Sequence, residues 1–151
     1  MLELKIPPAV YLLLTAGSMW LLDHSRPIAE MIPAPWNKLG YLFIIFALFT
    51  GGASLLQFLR SHTSMNPIHP DNAKSLVTTG MYRITRNPMY AGLLFLLVGW
   101  GFLLGSFSPF LLLPVFILLM TTQQIIPEER ILEEKFGQQY RDYKESVNRW
   151  F

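Results

Sequence analysis

The stretch that decides the fold is residues 39–59, which read LGYLFIIFALFTGGASLLQFL and contain no charged side chain. A helix needs about 20 apolar residues to cross the hydrocarbon core of a bilayer, and this stretch meets that length. Three more apolar runs lie at residues 7–22, 88–107 and 108–126. We therefore predict an all-α, polytopic integral membrane protein with four transmembrane helices.

The composition agrees with a membrane protein. The 151 residues are 52% hydrophobic and only 15% charged, whereas soluble globular domains carry about 25% charged residues. This argues against a disordered tail and against a nucleic-acid-binding protein. The chain has no cysteine, which excludes disulfides and thiolate nucleophiles. His24, His62 and His69 are too scattered to predict a metal site.

The first apolar run has two interpretations. Lys5 precedes it and small residues follow at 15–18, a pattern that a secretory signal peptide also shows. We expect an uncleaved span.

The basic residues predict the orientation of the four spans, because lysine and arginine accumulate on the cytoplasmic side. With a cytoplasmic N-terminus, ten of the twelve basic residues fall on that side, namely Lys5, Arg60, Lys74, Arg83, Arg86, Arg130, Lys135, Arg141, Lys144 and Arg149. Arg26 and Lys38 fall on the other side. We therefore expect both termini to be cytoplasmic.

Two polar segments then lie in the cytoplasm, where chemistry can occur. One is the loop 61–87. The other is residues 128–148, predicted as a C-terminal amphipathic helix because its apolar positions mostly recur every three or four residues, at Ile131, Leu132, Phe136, Tyr140, Tyr143 and Val147. The sequence Pro127-Glu128-Glu129 is typical of a helix start.

The densest polar cluster is residues 80–92, GMYRITRNPMYAG, at the start of the third span. Its arginines, tyrosines and asparagine could hold an anionic or zwitterionic group. Topology alone also explains it, through basic residues on the inner side, interfacial tyrosines and a proline helix start, and composition alone favours that interpretation. The pair Glu128 and Glu129 also has two interpretations: it is either a solvated helix cap or a pair of counter-charges for a cation.

The order of several motifs resembles a known family. LVTTGMYR at 76–83, RNPMYAG at 86–92, the pair Glu128-Glu129, and the later positions Phe136, Gly137, Tyr140, Tyr143, Val147 and Arg149 resemble the isoprenylcysteine carboxyl methyltransferases. Their bacterial members and the phospholipid methyltransferases share the scheme. The resemblance implies a membrane enzyme that uses S-adenosylmethionine without a Rossmann domain, here in a bacterial inner membrane, acting on a lipophilic methyl acceptor among membrane lipids.

In that family an Arg-His-Pro-x-Tyr element and a later Glu-Glu pair bind the cofactor, and the C-terminal helix closes the pocket. By this resemblance we expect the cofactor-binding residues to be Tyr82, Arg86, Asn87, Pro88, Tyr90, Glu128 and Glu129. We expect Arg83 and Glu129 to be catalytic. Position 87 is Asn where the eukaryotic enzymes have His, so a titratable imidazole is excluded there. Residues 123–127 also lack the basic residue expected near a prenylcysteine carboxylate, which puts that substrate in doubt.

The charges of S-adenosylmethionine suit these residues. We expect Glu128 or Glu129 to hold its ammonium and Arg83 or Arg86 its carboxylate. Tyr82 and Tyr90 can face the adenine or the sulfonium. Methyl transfer needs alignment of the reacting atoms and no metal.

The acceptor is expected to remain in the bilayer, because each buried CH₂ of a lipid contributes about 0.8 kcal/mol. We expect a lateral opening between spans, with close helix packing at Gly92, Gly99, Gly101 and Gly105. Two other hypotheses stay open: a small non-enzymatic lipid-binding or assembly protein, and an NADPH-dependent membrane reductase related to sterol reductases. The sequence determines neither the acceptor, which can be a prenylated acid, a phospholipid amine or a thiol, nor the oligomeric state.

Overall fold

The computed structural model describes residues 4–25, 27–30, 32–60 and 75–151, without the side chains of 58–60. Within these ranges the fold is all-α, and the helices are α1 Pro8–Ser25, α2 Gly40–Arg60, α3 Pro88–Leu104, α4 Leu113–Met120, α5 Ile126–Phe136 and α6 Gln138–Ser146. Tight 3₁₀ turns precede α2, α3 and α4, at Trp36–Leu39, Gly80–Arg83 and Ser108–Leu112. A wider π turn, Thr121–Ile125, joins α4 to α5.

Helices α2 and α3 pack against each other through glycines. A Cβ atom added at Gly99 would lie 2.6 Å from the carbonyl oxygen of Gly40 and 2.8 Å from a side-chain carbon of Ile44. One added at Gly92 would lie 3.2 Å from the hydroxyl of Thr50. The absence of a side chain therefore lets the two backbones approach closely. This confirms the predicted close packing at Gly92 and Gly99.

Helix α1 packs across α3 and α4 and contributes to the main core. Trp100 of α3 donates a hydrogen bond to the carbonyl oxygen of Ala16 at 3.2 Å. The buried side chains of this core are Tyr11, Met19, Tyr90, Leu97, Phe116, Met120 and Ile125. One of them, Tyr90, belongs to the predicted cofactor site, so the core and the site share the start of α3.

The outer faces of α1 and α2 are apolar. Leu13, Leu42, Ile45 and Phe49 are each more than 60% exposed, a surface that suits lipid rather than water. In the part of the chain that the structure describes, two helical stretches are long and apolar enough to cross a membrane, Trp36–Gln57 and Ser108–Phe136. Helix α3 is apolar but shorter, and α1 is not among the long apolar helices. The count of four spans therefore stays a prediction.

The C-terminal region differs from the predicted single helix over 128–148. The helical path runs without a break from α4 through the π turn Thr121–Ile125 into α5. Pro127 cannot donate an N–H to the preceding turn, and it follows directly after the π turn, where the regular α-helical hydrogen-bond pattern is already interrupted. The chain then breaks at Gly137, whose φ is +54°. Glycine adopts such positive φ values readily, and α6 begins directly after it. The predicted helix is thus divided into α5 and α6.

Several residues used in the sequence predictions lie outside the described ranges. They are Arg26, His62, His69 and Lys74, together with residues 61–73 of the predicted cytoplasmic loop.

Candidate functional site

The loop before α3 is held against α6 by buried tyrosines. Tyr82 lies in the turn Gly80–Arg83, and its carbonyl oxygen accepts a hydrogen bond of 2.6 Å from the hydroxyl of Tyr143. Val77, Tyr82, Tyr140 and Tyr143 form a second buried cluster. Burial raises the pKa of Tyr82, Tyr140 and Tyr143 above the ordinary tyrosine value, so their hydroxyls remain protonated donors. This packing fixes the backbone that leads to Arg86.

Arg86 and Glu129 form a buried ion pair. Arg86 lies two residues before α3 and Glu129 lies in the first turn of α5. The Nη2 of Arg86 is 3.2 Å from the Oε1 of Glu129, and each side chain is only 9% exposed. The structure therefore brings together two oppositely charged residues that are far apart in the sequence.

Arg149 binds the same carboxylate in a bidentate manner. Its Nε donates to the Oε1 of Glu129 at 3.0 Å and its Nη2 donates to Oε2 at 2.8 Å. Hydrogen bonding to Glu129 raises the pKa of Arg149 above its usual value. The sequence predictions counted Arg149 among the cytoplasmic basic residues and in the family pattern but gave it no role in the site. The signal that could have identified it is a basic residue in an otherwise aromatic terminal segment.

The backbone around Arg149 is bound by the loop that carries Arg86. The backbone N–H of Arg86 donates to the carbonyl oxygen of Asn148 at 2.9 Å. The hydroxyl of Thr85 and the side-chain amide of Asn87 both donate to the carbonyl oxygen of Arg149 at 3.0 Å. The predicted cofactor residue Asn87 thus uses its amide within the protein.

Glu128 has a different partner from its neighbour. The hydroxyl of Tyr90, in the first turn of α3, donates a hydrogen bond to the Oε1 of Glu128. In the described part of the chain, no ion pair joins Glu128 to a basic side chain. Pro88, which is buried, opens α3 beside this contact. Glu128 is therefore a carboxylate without a described counter-charge.

Arg86 retains unused donors. Its Nε and Nη1 atoms are buried and have no hydrogen-bond partner in the described structure. A buried donor without a partner costs about 1–3 kcal/mol, so these atoms can gain from an anionic ligand. The side chain of Arg83, by contrast, is exposed, and the structure places it in no described ion pair with Glu128 or Glu129.

The arrangement as a whole offers both signs of charge next to an apolar helix start. Arg86 presents donors for an anion, and Glu128 presents an acceptor for a cation. The two lie on different elements, the loop before α3 and the start of α5, and they come together through Tyr90 and Glu129. A cationic donor and a carboxylate are the two kinds of group that a zwitterionic ligand requires.

Comparison with known proteins gives a consistent family. The family model described as phospholipid methyltransferase matches residues 36–139, more than half of the chain. The chain is 32% identical over 111 residues to protein-S-isoprenylcysteine O-methyltransferase A of Arabidopsis thaliana, covering 74% of this chain and 56% of that protein. It is 28% identical over 105 residues to protein-S-isoprenylcysteine O-methyltransferase of Schizosaccharomyces pombe, covering 70% of this chain and 44% of that protein.

A shorter bacterial relative also matches. An uncharacterised protein of Haemophilus influenzae is 45% identical over 62 residues, which cover 41% of this chain and 98% of that protein. The chain spans about half the length of the two methyltransferases named above. No solved structure matches the chain significantly.

Proposed function

The chain belongs to the phospholipid methyltransferase family, and from this we propose that it is a membrane methyltransferase that uses S-adenosylmethionine and a lipophilic acceptor. Two observations carry the proposal: Arg86 has buried donors without a partner in the described structure, and Glu128, next to the Glu129 that pairs with Arg86, has no described counter-charge. The relatives named as O-methyltransferases support the same reaction class.

The amino-acid part of S-adenosylmethionine carries a carboxylate and an ammonium, so the site must offer a partner for each group. We assign the carboxylate to the Nε and Nη1 of Arg86, for which the described residues provide no acceptor. We assign the ammonium to Glu128, because both oxygens of Glu129 already accept hydrogen bonds from Arg149. Charge-assisted hydrogen bonds of this kind are shorter and stronger than neutral ones. The residues therefore fit the cofactor.

The remaining site residues support these two contacts. Tyr90 orients Glu128 through its hydroxyl, Pro88 begins the helix that carries Tyr90, and Asn87 anchors the neighbouring chain. Tyr82 lies close enough to Glu128 for that carboxylate to contribute, after burial and Tyr143, to the raised pKa of Tyr82.

The two residues predicted as catalytic receive different assignments. Glu129 holds Arg86 in position. Arg83 takes no part in the proposed contacts, because its side chain is exposed. Bound S-adenosylmethionine would supply an electrophilic methyl group, and the protein's contribution is to orient it and to exclude water.

The proposal also covers how the chain is arranged in the membrane. We propose four spans, a bacterial inner membrane, cytoplasmic termini and a site at the inner boundary of the bilayer. The exposed apolar faces of α1 and α2 support burial in lipid. The site lies between the start of α3 and the start of α5, so a water-soluble cofactor and a lipid-borne acceptor can meet there.

The test is calorimetric binding of S-adenosylhomocysteine to the purified protein in detergent. We expect saturable binding that weakens about ten- to hundredfold in Arg86→Ala and in Glu128→Gln, the range expected for losing one hydrogen bond to a charged group. Glu134→Gln, an exposed glutamate on the same helix, is the matched control and should bind like the parent. No saturable binding by the parent protein would refute the proposal and favour a non-enzymatic membrane protein.

A further inference from the structure

Arg149 lies on a short segment, Asn148–Trp150, that we call the tail segment and that contacts several elements of the site. It binds Glu129 with two hydrogen bonds, while its backbone is bound by Thr85 and Asn87. We propose that Arg149 is a positioning residue for the methyl donor: by occupying both oxygens of Glu129, it keeps the Nε and Nη1 of Arg86 free for the donor's carboxylate. This inference rests on the proposed function.

The two arginines make different numbers of contacts with Glu129. Arg149 uses two nitrogens on the two oxygens of Glu129, at 3.0 and 2.8 Å. Arg86 reaches the same carboxylate through Nη2 only, at 3.2 Å. Arginine and carboxylate tend to pair through two parallel hydrogen bonds. Arg149 therefore takes the bidentate position that Arg86 would otherwise occupy.

The contact between Arg149 and Glu129 determines how many donors of Arg86 remain available. If Arg149 were absent, Glu129 could turn both oxygens to Arg86 and engage a second nitrogen of its guanidinium. Fewer of the Arg86 donors would then be available to a ligand. The present arrangement leaves Nε and Nη1 buried and without a partner in the described structure, which is the state that an incoming carboxylate requires.

The burial of the two arginines supports the same division of roles. The side chains of Arg86 and Glu129 are each 9% exposed, whereas that of Arg149 is 37% exposed. The Nε and Nη1 of Arg86, which have no partner in the described structure, therefore gain more from an anionic group of a ligand than the more solvated guanidinium of Arg149 does.

Hydrogen bonds on both sides of Arg149 hold the tail segment in place. Asn148 accepts a hydrogen bond from the backbone N–H of Arg86 at 2.9 Å. The indole N–H of Trp150 donates to the hydroxyl of Thr121 at 3.1 Å, which connects the segment to the π turn. Both chain neighbours of Arg149 are thus hydrogen-bonded to other elements, and the carbonyl of Arg149 itself is bound by the loop that carries Arg86.

The experiment compares two ligands that differ in one part. S-adenosylhomocysteine carries the amino-acid group, and 5′-methylthioadenosine keeps the adenosine and thioether but lacks that group. We expect Arg149→Ala to lower affinity for S-adenosylhomocysteine at least tenfold and affinity for 5′-methylthioadenosine less than twofold. Arg149→Lys, which cannot bind both oxygens in the same planar manner, should show most of the loss.

The matched control is Arg141→Ala. Arg141 is an exposed arginine of α6 whose Nη1 lies 3.8 Å from the Oε1 of Glu133, and it makes no described ion pair with Glu128 or Glu129, so both affinities should stay unchanged. Equal weakening for both ligands in Arg149→Ala and Arg149→Lys would assign Arg149 a merely structural role and overturn the inference. Unchanged S-adenosylhomocysteine binding in these variants would also overturn it. If the parent protein binds S-adenosylhomocysteine and Arg86→Ala binds it about ten- to hundredfold more weakly, the proposed function stands whichever result Arg149 gives.

Discussion

Glu128 and Glu129 are adjacent in the chain, but their carboxylates bind partners from different parts of the fold. Glu129 is held by Arg86 and Arg149, whereas Glu128 accepts a hydrogen bond from Tyr90. An α-helix has 3.6 residues per turn, so successive side chains point about 100° apart. The first turn of α5 therefore presents one carboxylate to the arginines and the other to α3.

The two carboxylates should contribute unequally to stability. Glu129→Gln leaves Arg86 buried without a full counter-charge, and breaking a buried ion pair in this way costs about 3–5 kcal/mol. Glu128→Gln keeps an oxygen that can accept from Tyr90, so we expect a loss of about 1 kcal/mol or less. The free energy of unfolding in mixed micelles, measured by titration with a denaturing detergent, checks both values. Equal losses in the two variants would contradict the structure.

The glycine contact between α2 and α3 predicts a large effect from one methyl group. In Gly99→Ala the new Cβ would lie 2.6 Å from the carbonyl oxygen of Gly40, so the helices must move apart, at a cost of about 1–3 kcal/mol. Gly52→Ala is the control, because a Cβ there meets nothing within 4 Å. That variant should be neutral or more stable by up to about 1 kcal/mol. Thermal unfolding of the two variants side by side separates packing from helix propensity.

Stability should fall in alkaline solution because of the buried tyrosines. Burial raises the pKa of Tyr82, Tyr140 and Tyr143 in the folded protein, whereas in the unfolded chain these groups ionise near the ordinary value of about 10. Above that pH the unfolded state binds fewer protons, so the free energy of unfolding decreases as pH rises, by up to about 1.4 kcal/mol per pH unit for each tyrosine.

The variant Tyr143→Phe tests this linkage. It removes one titrating group, so the decrease in stability between about pH 10 and pH 11 should become shallower. It also removes the hydrogen bond to the carbonyl oxygen of Tyr82, which lowers stability near neutral pH by about 1 kcal/mol. If the free energy of unfolding decreases with pH as steeply in Tyr143→Phe as in the parent protein, Tyr143 does not contribute to this pH dependence and the prediction is wrong.

The proposed topology can be tested directly because the chain contains no cysteine. Single cysteines at two exposed positions, Glu30→Cys before α2 and Glu145→Cys in α6, should react with a membrane-impermeant maleimide from opposite sides of the membrane. We expect position 145 to be labelled from the cytoplasmic side. Labelling of both positions from the same side would break the four-span arrangement.

Much of the helical architecture follows from apolar runs and their boundaries. The run 39–59 corresponds closely to α2, Gly40–Arg60, and the proline at position 88 marks the first residue of α3. The end of α3 falls at Leu104, earlier than predicted, because Gly105 adopts a φ of +93°. Periodicity could not predict the break at Gly137, because the apolar spacing continues across it.

The site was only partly predictable for a related reason. The residues expected near the cofactor came from motifs at 80–92 and at Glu128-Glu129, and the structure brings Arg86, Tyr90 and both glutamates together. The contact made by Arg149 joins elements that are distant in sequence, and no local spacing encodes such a pair. The division of roles between the two glutamates depends on the phase of α5, which continues through the π turn from α4.

The contact at Gly40 and Gly99 also bears on the proposed lateral opening between the spans. At this crossing the two backbones leave no gap, and Thr50 fills the space beside Gly92 further along the same seam. A hydrocarbon tail cannot pass between α2 and α3 there unless the two helices separate. If the proposed lipophilic acceptor reaches the site from the bilayer, it must therefore enter by a route other than the contact between α2 and α3.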